Sequence, residues 1–259
     1  MSEIVVSRPK PGVAAVTIDR PARRNALDRA AWRGLAGAFR TLAAAPEVRL
    51  VVLTGAGGHF CAGADISEFA RLRADSASGA LYEREVAAAY EAIRALPQPS
   101  VAAIAGYCAG GGCAIALCCD FRIMHAGARF GIPAARLGTV YTVEECRLLL
   151  TVVGLANAKR ILYGGGFFDA AAAREMGFAD RVVEGEFFES AIDFAADMAA
   201  NAPLALAGTK AILQALADGE EEGRREEIEA LIRHALDSED YREGAAAFLE
   251  KRPPQFTGR

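Results

Sequence analysis

The sequence predicts an α/β fold, and three consecutive segments near the N-terminus carry that prediction. Gly12 to Asp19, GVAAVTID, is a short apolar run between turn-forming residues, and Val48 to Thr54, VRLVVLT, is rich in β-branched residues. Both segments are therefore predicted strands. Between them, Asp28 to Ala45 is rich in alanine and leucine and ends before Pro46, which is typical of a helix. A strand, a helix and a strand in this order are characteristic of α/β proteins.

The length and composition of the chain indicate a folded protein with a substantial core. Its 259 residues suffice for one large domain, or for one domain with a small appendage. Hydrophobic residues make up 53% and charged residues 24% of the chain, which is the balance of an ordinary globular protein. The formal net charge is -4 and no basic cluster occurs, so we expect no nucleic-acid partner, because phosphate binding requires concentrated positive charge.

The composition also fits a cytoplasmic protein without a metal site. No segment approaches the roughly eighteen unbroken apolar residues of a membrane span, and the N-terminus lacks the pattern of a signal peptide, so we expect no membrane association. The six cysteines lie mostly inside apolar runs and form no CxxC pair, which fits a reducing cytoplasm. The three histidines are too scattered to suggest a metal triad.

The middle of the chain continues the α/β pattern. Ser67 to Leu96 is charged and helical in pattern, with Ser76 to Gly79 as a predicted break or mobile loop. Pro97 to Gly106, PQPSVAAIAG, is a third predicted buried strand. These segments extend the predicted α/β arrangement along the chain.

Two glycine-rich segments follow predicted strands. One runs from Gly55 to Ile66, and the other is the stretch Gly106 to Asp120, GYCAGGGCAIALCCD, with three consecutive glycines. Neither segment has the GxGxxG or GxxxxGK[ST] spacing of nucleotide-binding loops. The glycines serve either for close packing of helix on strand or for exposing backbone N–H groups to a ligand. Two such donors converging on one point would form an oxyanion hole.

A turn with three arginines precedes the first helix. Arg20, Arg23 and Arg24 lie within five residues of each other, and Asp28 follows as a predicted helix cap. The turn is either a solvated loop or a phosphate contact, since guanidinium groups match the geometry of phosphate. Asp65 in the first glycine-rich segment is a candidate cap for the next helix.

Five segments together resemble the crotonase superfamily, also called the enoyl-CoA hydratase/isomerase family. They are RNALD, GAGGHFCAGADI, GYCAGGGCAIALCCD, RFGIPAARLG and AFLEKR, in the order and spacing of the family. The resemblance implies a core of repeated ββα units wound into a spiral over residues 1–200 and a helical trimerisation region over residues 201–259. It further implies a homotrimer or a dimer of trimers, and an acyl-CoA substrate, so that coenzyme A enters with the substrate and no separate cofactor is expected.

The resemblance also implies site residues. The thioester oxygen would lie between the backbone N–H groups of Ala64 and Gly111. Contacts to coenzyme A would come from the arginine turn, from the backbone around the adenine and from a neighbouring subunit, namely Arg23, Arg24, Ala62, Asp65, Ile66, Phe248 and Lys251. One departure weakens the phosphate contacts, because the family often has lysine at the position of Ser67. The depth of the acyl pocket would depend on Leu72 to Leu81.

Hydratases of this family use two glutamates, and this chain has neither. The corresponding positions are Ala114, after GGGC, and Ala134, after the proline of FGIPA, while an acidic position used by several isomerases is Thr142. A methyl group neither holds a water molecule nor transfers a proton. We therefore expect isomerisation or decarboxylation rather than standard hydration.

Two other side chains are candidates for handling substrate or proton. Tyr141 aligns with a tyrosine of methylmalonyl-CoA decarboxylases, which share a similar DSEDYREG pattern but have histidine at the position of Ala64. Its alternative role is that of a packing residue with a satisfied hydroxyl. Glu144 is either an acid/base directed into the pocket or a first-turn residue that complements the helix dipole. A non-catalytic acyl-CoA binding protein is the rival interpretation of the whole chain.

Overall fold

A computed structural model describes residues 3–68 and 76–259. The β-strands are β1 Ile4–Lys10, β2 Val13–Ile18, β3 Leu50–Gly55, β4 Ser100–Ile104, β5 Tyr107–Ala109, β6 Phe121–His125, β7 Arg129–Gly131, β8 Phe167–Asp169 and β9 Arg181–Val183. The α-helices are α1 Arg29–Ala43, α2 Ser76–Arg94, α3 Gly111–Cys118, α4 Val143–Gly164, α5 Ala170–Glu175, α6 Phe187–Ala199, α7 Pro203–Asp218, α8 Arg225–Leu236 and α9 Glu239–Glu250. Helix α4 is interrupted at Gly154, whose φ and ψ are not helical.

A six-stranded sheet forms the centre of the molecule, in the order β1-β2-β3-β4-β6-β9. Its strands pair in parallel except at the β1 edge, where β1 and β2 are antiparallel. Strand β4 is buried throughout, and β3 is buried up to its last residue. Continuous apolar sequence is what a parallel strand covered on both faces requires, and this explains why these segments stand out in the sequence. The predicted α/β class is confirmed.

A second, three-stranded sheet in the order β5-β7-β8 accompanies the first. The chain passes from β4 to the short strand β5 and then to α3, and it repeats this path through β6, β7 and α4. Each unit thus contributes one strand to each sheet and then a helix. This is the spiral of ββα units that the family resemblance implied.

The predicted break at the start of α2 is wrong. Ser76 to Gly79 lie inside a continuous helix from Ser76 to Arg94. Small residues suggested a loop, but alanine favours helix and a single glycine costs only about 1 kcal/mol, which the packing of α2 on α1 offsets. The segment Leu72 to Leu81, on which the depth of the acyl pocket is expected to depend, falls partly on residues 69–75, which lie outside the described part of the chain.

Helices α7, α8 and α9 form the C-terminal region. Helix α9 begins after Ser238, whose Oγ accepts a hydrogen bond of 3.0 Å from the N–H of Tyr241, and it ends at Lys251 in a left-handed conformation (φ +56°). The boundary predicted after residue 200 falls in the turn between α6 and α7. The division into a core and a trimerisation region stays a prediction. No helix within the described ranges is both long and apolar enough to cross a bilayer.

Asn25 ties the arginine turn to the loop after β3. Its side chain is fully buried, its Nδ2 donates to the carbonyls of Ala56 (2.8 Å) and His59 (2.6 Å), and its Oδ1 accepts from the N–H of Arg20 (2.9 Å). Its backbone is left-handed (φ +59°), a conformation that asparagine adopts more readily than most residues. One side chain therefore fixes two loops that border the candidate site.

We predict that Asn25→Ala lowers the free energy of unfolding by about 3 kcal/mol or more, because each buried backbone group left without its partner costs roughly 1–3 kcal/mol. Urea unfolding followed by the fluorescence of Trp32, the single tryptophan, measures the change. The matched control is Asn201→Ala, which removes one solvent-exposed bond of 3.3 Å to the carbonyl of Asp197 and should cost under about 0.5 kcal/mol. Equal losses for the two variants would contradict the assigned role.

Candidate functional site

The two glycine loops lie side by side at the ends of neighbouring strands. We call residues 55–66 the first glycine loop and residues 106–112 the second. They are joined by a parallel bridge in which the N–H of Cys61 donates to the carbonyl of Tyr107 (3.0 Å) and the N–H of Ala109 donates to the carbonyl of Cys61 (2.9 Å). Because β3 and β4 are adjacent and parallel, both loops emerge at the same edge of the sheet.

The loops approach so closely that side chains are excluded between them. Gly63 has a φ of +94°, and a Cβ atom built on it would lie 2.7 Å from the carbonyl oxygen of Ala109 and 3.3 Å from the nitrogen of Gly111. A Cβ atom built on Gly111 would lie 3.7 Å from the nitrogen of Ala64. The two nitrogens predicted as oxyanion donors are therefore brought together by the backbone.

The N–H groups of Ala64 and Gly111 have no acceptor among the described residues. Gly111 is the first residue of α3, where a helix leaves its N–H groups unpaired. Beside Ala64, the carbonyl of Gly63 accepts from Leu27 (2.7 Å) and the N–H of Asp65 donates to Leu27 (2.9 Å), so the neighbouring groups are engaged. Two free donors at one place can stabilise a developing negative charge on oxygen. Their role as an oxyanion hole stays a prediction.

Both donor residues line a cavity of about 420 Å³. This volume is within the usual range for small-molecule sites. The wall combines the two glycine loops with aromatic side chains from α1 and α2, the turn before α4 and the first turn of α4. The lining residues are Trp32, Ala62, Gly63, Ala64, Ile66, Tyr82, Glu83, Val86, Tyr90, Ala109, Gly110, Gly111, Pro133, Ala134, Leu137, Thr139, Val140, Tyr141, Thr142 and Glu145.

Alanines occupy the two positions at which hydratases carry glutamates, and the structure shows where these alanines lie. Ala134 is part of the cavity wall. Ala114 lies in α3, is 1% exposed and packs in the hydrophobic core rather than on the cavity surface. Neither methyl group offers a lone pair or a proton, so the cavity has no acid at these two positions.

Tyr141 lines the cavity with a hydroxyl that lacks a partner. Its oxygen is buried and forms no hydrogen bond with the described residues. Burial, followed by the negative potential of nearby groups that include Glu145, raises the pKa of this hydroxyl well above its ordinary value. The group is therefore a neutral donor. The alternative of a satisfied packing hydroxyl is not what the structure shows.

The first turn of α4 places its two glutamates in different environments. The Oε1 of Glu144 lies 3.6 Å from the Nη1 of Arg94, and the side chain borders a separate charged cavity of about 430 Å³ with Arg147 and Asp218. The structure therefore does not bring Glu144 to the cavity of the glycine loops. This corrects the pocket-directed alternative for Glu144 and leaves its first-turn position, and the physical reason is the helical phase set by the start of α4.

Glu145 is the carboxylate of this turn that lines the cavity. Its Oε2 accepts from the N–H (3.0 Å) and Oγ1 (3.1 Å) of Thr142, and the N–H of Glu145 donates to Oγ1 of Thr142 (3.2 Å), which is a capping box. Its Oε1 accepts from the hydroxyl of Tyr90 (3.1 Å). The sequence contains the signal for this arrangement, since Thr-x-x-Glu ahead of an apolar run is the pattern of a capping box.

The aromatic wall was not predicted. Tyr82, Val86 and Tyr90 recur at intervals of four along α2, so they share one face, and this spacing is the signal that could have revealed them. The Nε1 of Trp32 donates to the hydroxyl of Tyr82 (3.1 Å), and its ring meets Tyr90 edge to face at 5.8 Å. The contact with Trp32 fixes the ring of Tyr90, whose hydroxyl donates to Glu145.

The arginine turn lies next to the first glycine loop. Arg23 and Arg24 are exposed in a short 3-10 turn, and the carbonyl of Arg24 accepts from the N–H of Ala62 (3.0 Å). The guanidinium of Arg24 lies 5.3 Å from the centre of the Tyr107 ring. Arg20 is held in ion pairs, including one of 2.8 Å to Asp28. The predicted contacts of Arg23 and Arg24 with coenzyme A stay predictions.

The other residues predicted to bind coenzyme A are placed in three ways. Ala62 and Ile66 line the cavity, and Ile66 is exposed. Asp65 is buried, and its Oδ1 accepts from Oγ (2.7 Å) and the N–H (3.1 Å) of Ser67. The bonds from Ser67, chiefly from its hydroxyl, lower the pKa of Asp65. The bond from the N–H of Ser67 is of the kind that a cap residue accepts, here at the start of the short turn Ile66–Glu68. Phe248 and Lys251 are exposed and do not line the cavity of their own chain.

The described residues contain no group of three histidine, cysteine, aspartate or glutamate side chains that could hold a metal ion.

Fold and site together define a protein of the crotonase superfamily. The chain belongs to the enoyl-CoA hydratase/isomerase family, since the model of that family matches residues 8–259. The 2,3-dehydroadipyl-CoA hydratase of Escherichia coli (strain K12) is 32% identical over 268 aligned residues, with 100% of both chains covered.

Solved structures agree with this assignment. The structure of an enoyl-CoA hydratase/carnithine racemase from Magnetospirillum magneticum superposes with a TM-score of 0.91 at 38% identity, covering 100% of this chain and 97% of that one. An enoyl-CoA hydratase from Bacillus anthracis superposes with a TM-score of 0.91 at 29% identity, covering 99% of this chain and 100% of that one. The similarity thus extends over the whole chain, including the C-terminal helices.

We predict that Tyr141→Phe raises the free energy of unfolding by about 1 kcal/mol, because it removes a buried hydroxyl without a partner. The matched control is Tyr90→Phe, which leaves a Glu145 oxygen without its donor and should lower the free energy by about 1–2 kcal/mol. Urea unfolding of both variants measures the signs. A loss of stability for Tyr141→Phe equal to that for Tyr90→Phe would show that the Tyr141 hydroxyl has a partner in the free protein.

Proposed function

We propose that this protein is an acyl-CoA-processing enzyme that stabilises a thioester enolate and then isomerises or decarboxylates its substrate. The observation that carries the proposal is the pair of unpaired N–H groups at Ala64 and Gly111 on the wall of the cavity. An enolate concentrates negative charge on the thioester oxygen, and two fixed donors lower its energy. Loss of one such donor typically costs about 2.7–4 kcal/mol of barrier.

The missing glutamates argue against water addition as the reaction. Hydration requires one group to activate water and another to protonate the α-carbon, and Ala114 and Ala134 do neither. The relatives described above are named hydratases. Because this chain has alanine at positions 114 and 134, we do not propose hydration for it.

Tyr141 is proposed to contact the acyl group. Its buried hydroxyl is a neutral donor without a partner, and a polar substituent on the acyl carbon would satisfy it. In decarboxylation the substituent is a carboxylate that leaves as carbon dioxide, its bonding electrons pass into the enolate, and no base is required. In isomerisation a proton moves between two carbons, which does require one.

The same two alanines favour a second candidate, an acyl-CoA binding protein without catalysis. The donors and the cavity would then hold the thioester, and no side chain would act on it. This candidate predicts saturable binding of acyl-CoA without turnover, and binding that Tyr141→Phe leaves unchanged.

Coenzyme A is proposed to lie along the first glycine loop and the arginine turn. Arg23 and Arg24 are exposed beside Ala62, where they could meet phosphate groups. The proposed reactions move protons or release carbon dioxide, so no cofactor besides the substrate's own coenzyme A is proposed. The cytoplasmic location inferred from the cysteines stays a prediction.

The protein is proposed to form a homotrimer or a dimer of trimers through its C-terminal helices. Large apolar side chains are exposed on α7, α8 and α9, and a partner would remove them from water. They are Leu213, Leu216, Ile232, Leu236, Tyr241, Phe248 and Leu249. Phe248 is 85% exposed and, with Lys251, is proposed to reach the coenzyme A of a neighbouring subunit.

The reaction is tested by incubating the protein with 2-enoyl, 3-enoyl and malonyl-type thioesters and recording mass and absorbance. We expect either loss of carbon dioxide or unchanged mass with the new absorbance of a conjugated enoyl thioester. Gain of one water at a rate typical of enzymes, on the order of 1–1,000 per second, would contradict the proposal. Binding without conversion of any thioester would favour the non-catalytic candidate.

The assembly is tested by light scattering after size-exclusion chromatography. We expect a mass three or six times that of the 27.3 kDa chain. Phe248→Ala should then weaken acyl-CoA binding, although this residue lies outside the cavity of its own chain. A monomeric mass would contradict the proposed assembly, and binding of acyl-CoA by Phe248→Ala as tightly as by the wild type would contradict the proposed contact.

A further inference from the structure

The cavity is lined by a carboxylate that lies at neither of the two positions, 114 and 134, where hydratases carry their glutamates. Within the described residues 3–68 and 76–259, two acidic side chains line this cavity, namely Glu83 and Glu145. Glu83 lies on the exposed side of α2. Glu145 is only partly exposed and lies against Tyr90, which is 3% exposed. Glu145 is therefore the acid set into the inner wall of the cavity.

Glu145 is held in one orientation by groups on both sides of its carboxylate. Thr142 donates twice to Oε2, and the hydroxyl of Tyr90 donates to Oε1. Burial raises the pKa of Tyr90 well above its ordinary value, so its hydroxyl keeps its proton and its donor role. A side chain oriented by a second group in this way is the usual arrangement of a catalytic base.

The carboxylate and the unpartnered hydroxyl of Tyr141 border the same part of the cavity. After burial, Glu145 is among the groups whose negative potential acts on that hydroxyl. The wall between α2 and α4 thus offers one neutral donor and one proton acceptor, and the glycine loops offer two N–H donors. These are the groups that an enolisation needs: an acceptor for the carbon-bound proton and donors for the oxygen.

We propose that Glu145 is the base that moves the substrate proton in this enzyme. Its carboxylate removes a proton from C2 of a 3-enoyl thioester, and the C–H electron pair forms the C1–C2 double bond while the carbonyl pair moves onto the oxygen held by Ala64 and Gly111. The oxygen pair then restores the carbonyl, the C1–C2 pair forms the C2–C3 double bond, and the C3–C4 pair takes the proton from Glu145 at C4. The carboxylate is regenerated, and no oxidant or reductant is consumed.

This proposal rests on the proposed function and narrows it to isomerisation of an acyl-CoA with an acidic proton at C2. One carboxylate suffices, because the group that takes a proton at C2 also delivers one at C4. Water addition would need one group to activate water at C3 and another to protonate C2.

The two neighbouring glutamates provide a matched pair of variants. Glu145→Gln preserves the capping box, because glutamine also serves at that position, but it removes the proton acceptor. Glu144→Gln alters an acid in the same helical turn that pairs with Arg94 outside this cavity. The first readout is exchange of the C2 protons of butyryl-CoA in deuterium oxide, followed by mass spectrometry. The second is conversion of 3-hexenoyl-CoA, followed by absorbance.

We expect Glu145→Gln to slow both exchange and conversion by at least about 100-fold, the scale of general acid–base catalysis, and Glu144→Gln to change them less than about 3-fold. The dissociation constant for butyryl-CoA should stay within about 3-fold for both. Acetate should restore exchange to Glu145→Ala and not to Glu145→Gln, because only the smaller side chain leaves room for it. Rescue of this kind is a result that a purely structural role does not give.

Three results would overturn the proposal. They are exchange in Glu145→Gln at the wild-type rate, equal losses in the two glutamine variants, and failure of acetate to rescue Glu145→Ala. If the wild type decarboxylates a malonyl-type thioester and Glu145→Gln does so equally well, this inference fails while the proposed function stands. If the wild type neither exchanges protons nor converts any thioester, the proposed function fails as well.

Discussion

The close approach of the two glycine loops is the constraint on which the rest of the site depends. A side chain at Gly63 would collide with the carbonyl of Ala109, and one at Gly112 would lie 2.3 Å from the carbonyl of Cys61. Only bare backbone fits there, and it is bare backbone that leaves the N–H groups of Ala64 and Gly111 free to meet a ligand. The parallel pairing of β3 with β4 sets the loops beside each other, and Asn25 ties the arginine turn to the first of them.

Much of this could be predicted from the sequence because it is governed by backbone geometry. Glycines that must accept close contacts recur as glycine-rich segments after apolar strands, and both segments were recognisable. Fully buried strands such as β3 and β4 are equally recognisable, because a strand covered on both faces has little tolerance for polar residues. The alanines at positions 114 and 134 could be read directly, and the structure adds only that one lines the cavity and the other is enclosed in the core.

The position of a side chain around a helix could not be predicted in the same way. Successive residues of a helix differ by about 100° in direction, so the choice between Glu144 and Glu145 depends on where α4 begins. Thr142 begins it by capping Glu145, and one residue of difference separates the cavity of the glycine loops from the charged cavity beside Arg94. The break assigned to Ser76 to Gly79 failed for a related reason, because α2 as a whole packs on α1 and the local sequence does not contain that contact.

The free donors belong to the peptide backbone, so they persist when side chains on the cavity wall are substituted during evolution. Replacing an acid or a tyrosine on the cavity wall alters what happens to a bound thioester without touching the groups that hold its oxygen. Replacing one of the packed glycines removes the ligand site together with the contact between the loops. Single substitutions can therefore change the reaction, while the fold preserves the backbone groups that bind the thioester oxygen.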